Sequence, residues 1–514
     1  MRSPSSIRPW LIGFFGLAAL AGVVLAFLTA MNAGAGWDTT YEIELAAGVL
    51  HSLPAGLLPA YEATPYLFEF YGTLNYAIVE ALGGVFSPGF ALDPLDTTVY
   101  LWLGAWNILI GVAGVAGLAY AVGRALSSAV TGWFLAALTM TTPLWVGHLS
   151  MNFKDVPTAV GLSLVSAGLI LAWVRNPRRY EIAVSIALIA LGTAQLIGSR
   201  ASGTVLIGVL VIGAWVLSLF RRRVVAASFT GALIGLALVW LQSPFARRGM
   251  VRWLADAATT SNINPSSLRF AGSDISSGDL PLAYVPGWFL AQLPLLTIVL
   301  LVVGVVVVIL GLAGRAGAPG RQQLYPLTPV LIQGVLLPGM IAVSGVIIYD
   351  AARHVLFALP AFLVIAVLPL HWILANATLA RWLRITVLAV SVAAVGAGLM
   401  AGVRWYPYEY AFINPVAGWN HDQRDWELDY WGLSAREGID RLRDLGVDQV
   451  GMLPSDDPGA PYGGVNLADL AGSPVPYGAF VYLRYDAALP DGCDQAFTIV
   501  RDGHTLGVGG ICTP

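Results

Sequence analysis

Apolar residues fall into runs roughly 18–25 long, separated by short polar stretches. A run of that length spans a bilayer's hydrocarbon core as an α-helix, which needs about 20 residues at 1.5 Å each. Eleven spans are read, at about 10–30, 99–122, 129–147, 156–174, 181–198, 203–220, 224–242, 286–313, 326–348, 355–374 and 384–403. The first is followed by Ala33-Gly34-Ala35, which looks like a cleavage site. Its apolar core is too long for a secretory signal, so it reads as a retained span. Two long segments lack this pattern, 31–98 and 404–514. In the second, Ser434 to Leu445 reads as an amphipathic helix, and Ala479 to Tyr485 and Ala496 to Arg501 as strands.

Composition agrees: 57% of residues are hydrophobic and 11% charged, against about 25% charged in a soluble domain. The fold class is a polytopic α-helical membrane protein. It divides into a transmembrane domain, 1–403, and a small α/β domain, 404–514. The net charge of −3 and the lack of a basic tail give no sign of nucleic-acid binding.

Arginine placement sets the orientation. Arg2 and Arg8 put the N-terminus in the cytoplasm. Arg124, Arg175, Arg178, Arg179, Arg221 to Arg223, Arg315, Arg321, Arg381 and Arg384 fall on the same side. The segment 31–98 then lies outside. It has no lysine or arginine but carries Asp38, Glu42, Glu44, Glu62, Glu69, Glu80, Asp93 and Asp96. An odd number of spans puts 404–514 outside too, with the only two cysteines, Cys493 and Cys512. In an oxidising compartment they are disulfide candidates, a bond worth about 3 kcal/mol for a loop of that size.

The ionisable residues that topology does not explain share the outer boundary. Asp38 and Glu42 follow span 1. His148, Asn152, Lys154 and Asp155 lie between spans 3 and 4, Arg200 between spans 5 and 6, and Tyr349, Asp350, Arg353 and His354 between spans 9 and 10. Lys154 is the only lysine in the chain. Span interiors hold no charged residue at mid-bilayer, only neutral groups such as Asn107 and Gln195, which disfavours a transporter. Each outer group also has a plainer reading. Thr39 and Glu42 match a capping box, Asp155 before Val156-Pro157 matches a helix N-cap, Arg200 can snorkel, and His148 alone is an ordinary interfacial histidine. Their joint depth favours a site.

Clustered cations at this depth suit a phosphate carried on a lipid. Nucleotide-activated donors are cytoplasmic, so an outer-face transferase needs a lipid-delivered group. The leaving phosphate needs positive charge, for which Lys154, Arg200, Arg353 and His354 are candidates. The acceptor hydroxyl needs a base, and Asp38 with Glu42 supplies carboxylates. Tyr61, Tyr66, Phe68, Phe70, Tyr71 and Tyr76 fit interfacial helices in the first outer loop, or an aromatic belt. The outer loop 243–285, rich in Asn, Ser and Gly, suits a cover.

Four stretches resemble bacterial membrane glycosyltransferases of the polyprenyl-phosphate-mannose protein mannosyltransferase type, in the C superfamily. They are Trp37-Asp38-Thr39-Thr40-Tyr41-Glu42; Gly147-His148 through Asn152-Phe153-Lys154-Asp155-Val156-Pro157; Tyr349-Asp350-Ala351-Ala352-Arg353-His354 on to Pro360; and Tyr406 to Pro415 with Glu427 to Gly432. Asp279 to Tyr284 is a fifth, looser match. The resemblance implies an inverting transferase using a polyprenyl-phosphate sugar, with Asp38 as base. Phe153 stands where the family pattern has proline, and Ala351 where it has glycine. No cofactor is implied. A divalent metal among Asp38, Glu42 and His148 is left open, because no ligand spacing is diagnostic. The expected setting is a bacterial plasma membrane, with membrane lipids and a lipid-linked donor as partners. The acceptor is a protein, lipid or surface glycan. The competing readings are a lipid-linked saccharide flippase, and a glycan ligase or polymerase using a lipid-pyrophosphate donor.

Overall fold

The computed structural model describes residues 4–52, 72–259, 265–315, 318–419, 425–455, 457–470, 473–482 and 488–513. Among them, nine helices are long and apolar enough to cross a membrane: Arg8–Asn32, Thr97–Ala125, Asp155–Trp173, Arg179–Ser199, Arg222–Gln242, Leu295–Leu312, Arg321–Val343, Ala358–Ala375 and Arg381–Trp405. Ala129–Met140 and Pro143–Met151 make a tenth if counted as one span bent by 65°. The run expected at 203–220 forms Gly203–Leu217, at 15 residues short of a full span. Every expected run is thus helical, and the architecture is that of a polytopic membrane protein.

The breaks have local causes. At the 65° bend, Thr141 and Thr142 turn their hydroxyls back to the carbonyls of Ala137 (2.9 Å) and Leu138 (2.7 Å). Pro143, which lacks an N–H, then starts the next helix. Pro294 likewise divides the run read as 286–313 into Tyr284–Gln292 and Leu295–Leu312. Within Arg321–Val343 a π-helical turn, Ile332–Leu336, surrounds Gln333. That buried amide accepts from Ser166 (2.6 Å) and donates to the Phe357 carbonyl (2.7 Å).

Asp155–Trp173 is the hub, with its whole apolar window buried. It packs closely on Arg179–Ser199 through glycines: a Cβ on Gly161 would lie 2.7 Å from the Gly192 oxygen. Backbones approach this way when small residues line a membrane helix interface. Outside the hub, the first outer segment forms two helices, Thr39–Ser52 and Leu74–Phe86. Tyr61, Tyr66, Phe68, Phe70 and Tyr71 lie outside the described residues. Tyr76 is described, and it is buried rather than part of an interfacial belt.

The segment after Gln242 carries a helical stretch, Pro244–Thr259, kinked at Gly249, and an antiparallel hairpin, β1 (Ser267–Phe270) and β2 (Ser273–Ser276). The hairpin seats on the C-terminal segment: Gly272 N–H donates to the Asp425 carbonyl (2.9 Å), and the Phe270 ring lies 5.5 Å from that of Trp426. Beyond Trp405 the chain stays close to the helices, with Tyr408, Tyr410 and Tyr430 fully buried.

The helix Ala435–Asp444 then packs on a five-stranded sheet of β3 (Val450–Leu453), β4 (Gly464–Asn466), β5 (Tyr477–Tyr482), β6 (Cys493–Arg501) and β7 (His504–Cys512), in the order β4-β3-β5-β7-β6. β3 runs parallel to β4 and β5, while β7 is antiparallel to β5 and β6. Cys493 and Cys512 are in register and joined by a disulfide. β7 was not expected. Its Gly507 and Gly509 lie under the rings of Phe480 and Phe497, where a Cβ would come within 2.4 and 2.3 Å. Glycine there fills space through its neighbours, so β7 shows no apolar alternation.

Candidate active site

The candidate groups meet at one end of the helices, in two linked halves. The first surrounds Lys154. Its ammonium forms an ion pair with Glu42 and lies 4.0 Å from Asp38 Oδ2. Lys154 and Glu42 are nearly enclosed, whereas the Asp38 side chain is 45% exposed. Tyr76 O–H donates to the second oxygen of Glu42 (2.9 Å). Burial pushes the Glu42 carboxyl above its ordinary value against the pull of Lys154, and Asp38 adds to the rise. The predicted capping box does not form, because Thr39 N–H donates to the Gly36 carbonyl (3.1 Å). Asp38, with φ 68°, turns the chain into the helix from the left-handed region, which a short polar residue tolerates.

The second half surrounds Asp155. This buried carboxylate meets Arg200 Nη1 at 3.2 Å and Arg353 Nη1 at 3.7 Å, and accepts from Asn152 Nδ2 at 3.0 Å. Asp155 is therefore not the cap expected of it. Asn152 Oδ1 takes that place by accepting from the Asp155 N–H (2.8 Å) and Lys154 N–H (3.3 Å). Arg200 is not snorkelling but is held against the buried acid. Arg353 is the deepest cation, 3% exposed. It pairs with Asp350 (2.8 Å) and lies over the rings of Tyr349 (4.8 Å) and Trp431 (5.0 Å). Burial opposes its charge, yet Asp350, Tyr349 and Asp155 hold the guanidinium above its ordinary range. His354 stacks edge-on to Tyr349 (4.7 Å), and its buried Nε2 has no hydrogen-bond partner among the described residues. Burial and then Arg353 hold its ring well below the usual histidine range, so it is neutral.

Asp350 and Ala351 have φ of 57° and 61°. The position where the family pattern has glycine thus keeps a glycine-like conformation with alanine in place. His148 and Asn152 are fully buried. Asn107, inside the span Thr97–Ala125, donates to the carbonyls of Leu149 (2.9 Å) and Asn152 (3.1 Å). It thereby satisfies backbone groups freed where the Pro143–Met151 helix ends.

The donor set does not fit a divalent ion. The Lys154 ammonium stands between the Asp38 and Glu42 carboxylates, and His148 is engaged elsewhere. Among the described residues, no three His, Cys, Asp or Glu side chains group as metal ligands.

Sequence reasoning missed Tyr76, Asn107 and Trp431 as site partners. Asn107 was visible as a lone amide in an apolar span. Trp431 lay in a matched stretch without a role; its Nε1–H donates to Asp350 (3.3 Å). Tyr76 was hidden among the neighbouring aromatics.

Two clefts flank this site and share Phe153 as a wall. One, lined by Glu42, Tyr76, Lys154 and Ser199, has an apolar side of Leu45, Ala46 and Val49. The other lies between the end of the first span, Tyr100, and Arg436 and Tyr462 of the C-terminal segment.

No protein-family model matches the chain, and no curated protein does. Solved structures share its fold. ArnT from Cupriavidus metallidurans in the apo state superimposes with a TM-score of 0.52 at 13% identity, over 98% of both chains. The same protein bound to undecaprenyl phosphate gives 0.50 at 14%, again over 98% of both. The archaeal oligosaccharyltransferase AglB from Archaeoglobus fulgidus, in complex with an inhibitory peptide and a dolichol-phosphate, gives 0.50 at 13%, over 88% of this chain and 63% of that one. The chain thus shares the fold of ArnT over nearly the whole of both chains, and of AglB over most of its own length.

Proposed function

We propose that this protein is an inverting glycosyltransferase. It moves a sugar from a polyprenyl-phosphate-linked donor to an acceptor hydroxyl at the outer face of a bacterial plasma membrane. The observation that carries this reading is the pairing of an exposed carboxylate, Asp38, with a cation 4.0 Å away that is itself nearly enclosed. The undecaprenyl phosphate bound by ArnT and the dolichol-phosphate bound by AglB support a lipid phosphate as the donor's carrier.

In the reaction, Asp38 takes the acceptor hydroxyl's proton as the oxygen attacks the anomeric carbon. The bond from that carbon to the phosphate oxygen breaks on the opposite face, and polyprenyl phosphate leaves with the electron pair. Lys154 and Arg200 meet the charge gathering on it. Arg353, enclosed behind Asp155, keeps that carboxylate and Arg200 in place. Proton removal by a positioned base contributes about 10²–10⁴ in rate, and stabilisation of the leaving charge is often the larger effect.

The test is incubation of purified protein with labelled polyprenyl-phosphate hexoses and a membrane extract. Transfer of label to a macromolecule or lipid is expected. Transfer only of whole glycans from a lipid pyrophosphate would replace this reading with the ligase. Movement of intact donor across vesicles without transfer would replace it with the flippase.

A further inference from the structure

The hydrogen bonds of His148 and Tyr430 run directly into the Lys154 loop. The direction of each bond can be assigned. Asn152 Oδ1 accepts two backbone N–H groups, from Lys154 and Asp155, which fixes the orientation of the amide. Its Nδ2 therefore faces His148 Nδ1 and Asp155 Oδ2, both at 3.0 Å. An amide nitrogen has two protons and accepts nothing. His148 Nδ1 must accept one of them, so the ring's proton is on Nε2. That Nε2–H donates to the Tyr430 hydroxyl oxygen at 3.1 Å. The hydroxyl proton faces the Tyr410 carbonyl at 3.5 Å. Each donor in this series has an acceptor, and the order reads one way.

We infer that Tyr430 and His148 are positioning residues, a one-way hydrogen-bond relay by which the C-terminal segment sets the Asn152 amide and so aims Lys154 and Asp155 in opposite directions. Lys154 turns to Asp38 and Glu42, and Asp155 turns to Arg200 and Arg353. The two residues are adjacent, and one amide holds both of their N–H groups. Loss of that hold lets both side chains swing together. Their link to donor binding rests on the function proposed above, whereas the relay itself does not.

Two variants separate positioning from mere packing. In His148→Asn the side-chain oxygen falls near the place of Nδ1 and still accepts from Asn152. In His148→Gln the amide reaches the place of Nε2 and leaves Asn152 Nδ2 without its acceptor. Hydrogen exchange of the peptide containing Asn152 to Thr158 should speed up most in His148→Gln, and by a smaller, matching step in His148→Asn and Tyr430→Phe, each of which keeps the contact to Asn152 but loses the bond between positions 148 and 430. Binding of a labelled undecaprenyl-phosphate hexose should weaken about 5–10-fold in His148→Gln, as for one lost buried hydrogen bond. It should hold within about twofold in His148→Asn, with kcat little changed in either. Equal exchange in the Asn and Gln variants overturns the relay, whatever the donor affinity. If the exchange pattern appears but wild-type protein binds no lipid-phosphate sugar, the relay stands and the proposed function falls.

Discussion

The two ends of the helix Arg179–Ser199 each adjoin a buried carboxylate, and they differ instructively. At its N-terminal end Glu181 is fully enclosed. It meets Arg124 through Nε (2.5 Å) and Nη2 (3.1 Å) and accepts from the Arg178 N–H (2.7 Å). One acid, one guanidinium, the Tyr120 hydroxyl (3.3 Å) and one helix cap make up that set. At its C-terminal end Arg200 reaches Asp155, which also takes Arg353 and Asn152. Beside it one ammonium serves two carboxylates, and Asp38 still opens to solvent. A buried ion pair is therefore no sign of chemistry by itself, since an isolated pair is as often structural. The C-terminal end is marked by shared partners, several contributing elements and an acid left open.

The difference can be broken experimentally, starting with the largest effect. Asp38→Asn should lower label transfer by about 10²–10⁴ while donor binding stays within about threefold. Full transfer in that variant would remove Asp38 as the base. Next, Asp155→Asn should cost about 3 kcal/mol of stability, because it leaves buried guanidinium charge without its partner, and should weaken donor binding as well. Glu181→Gln should lower the melting temperature and leave donor affinity untouched. Equal loss of donor affinity in both would show that the two ends are not functionally distinct. Lys154→Ala should weaken donor binding about 10–100-fold, the range of a charged hydrogen bond. Lys154→Arg tests whether a compact ammonium is needed between Asp38 and Glu42 or any cation suffices.

A smaller effect concerns Glu409, a buried acid outside the spans. Its Oε1 accepts from Thr29 O–H (2.7 Å), and its Oε2 has no hydrogen-bond partner among the described residues. Burial pushes this carboxyl from an ordinary 4.5 up to about 8. Between those values the folded protein keeps a proton that the unfolded chain has lost. Stability from this group is complete below pH 4.5 and falls as pH rises through the window, by up to about 1.4 kcal/mol per unit. Melting temperatures taken from pH 5 to 9 should show a shallower decline in Glu409→Gln. The smallest change is expected for Ala351→Gly, where relief of a positive φ and the added freedom of the unfolded chain nearly cancel, within about 1 kcal/mol.

Much of this was legible in the residues. Spans were visible because lipid demands long apolar runs, and the polar groups stood out against them. Their depth followed from the arginine bias, and Asp38, Lys154, Arg200 and Arg353 do converge. What remained hidden was pairing. Asp155 had the position of an N-cap, yet two arginines outcompete a helix end for a carboxylate, and Asn152 caps instead. Burial of Tyr76 depends on how the first outer helices fold back, which aromatic spacing cannot show. The turn at Gln333 was also invisible, since its partners Ser163, Ser166 and Phe357 come from other helices or from far along the chain.

Gly147 has a consequence in time. A Cβ there would lie 2.1 Å from the Tyr410 nitrogen, so the Pro143–Met151 helix seats directly on backbone made some 260 residues later. Trp431, later still, closes the far side of Asp350 and Arg353. A nascent chain with its helices already in the bilayer still lacks the back wall of its site. On the function proposed above, competence is expected only once the last fifth of the protein has emerged and docked, and a chain truncated before Tyr410 is expected to be inert.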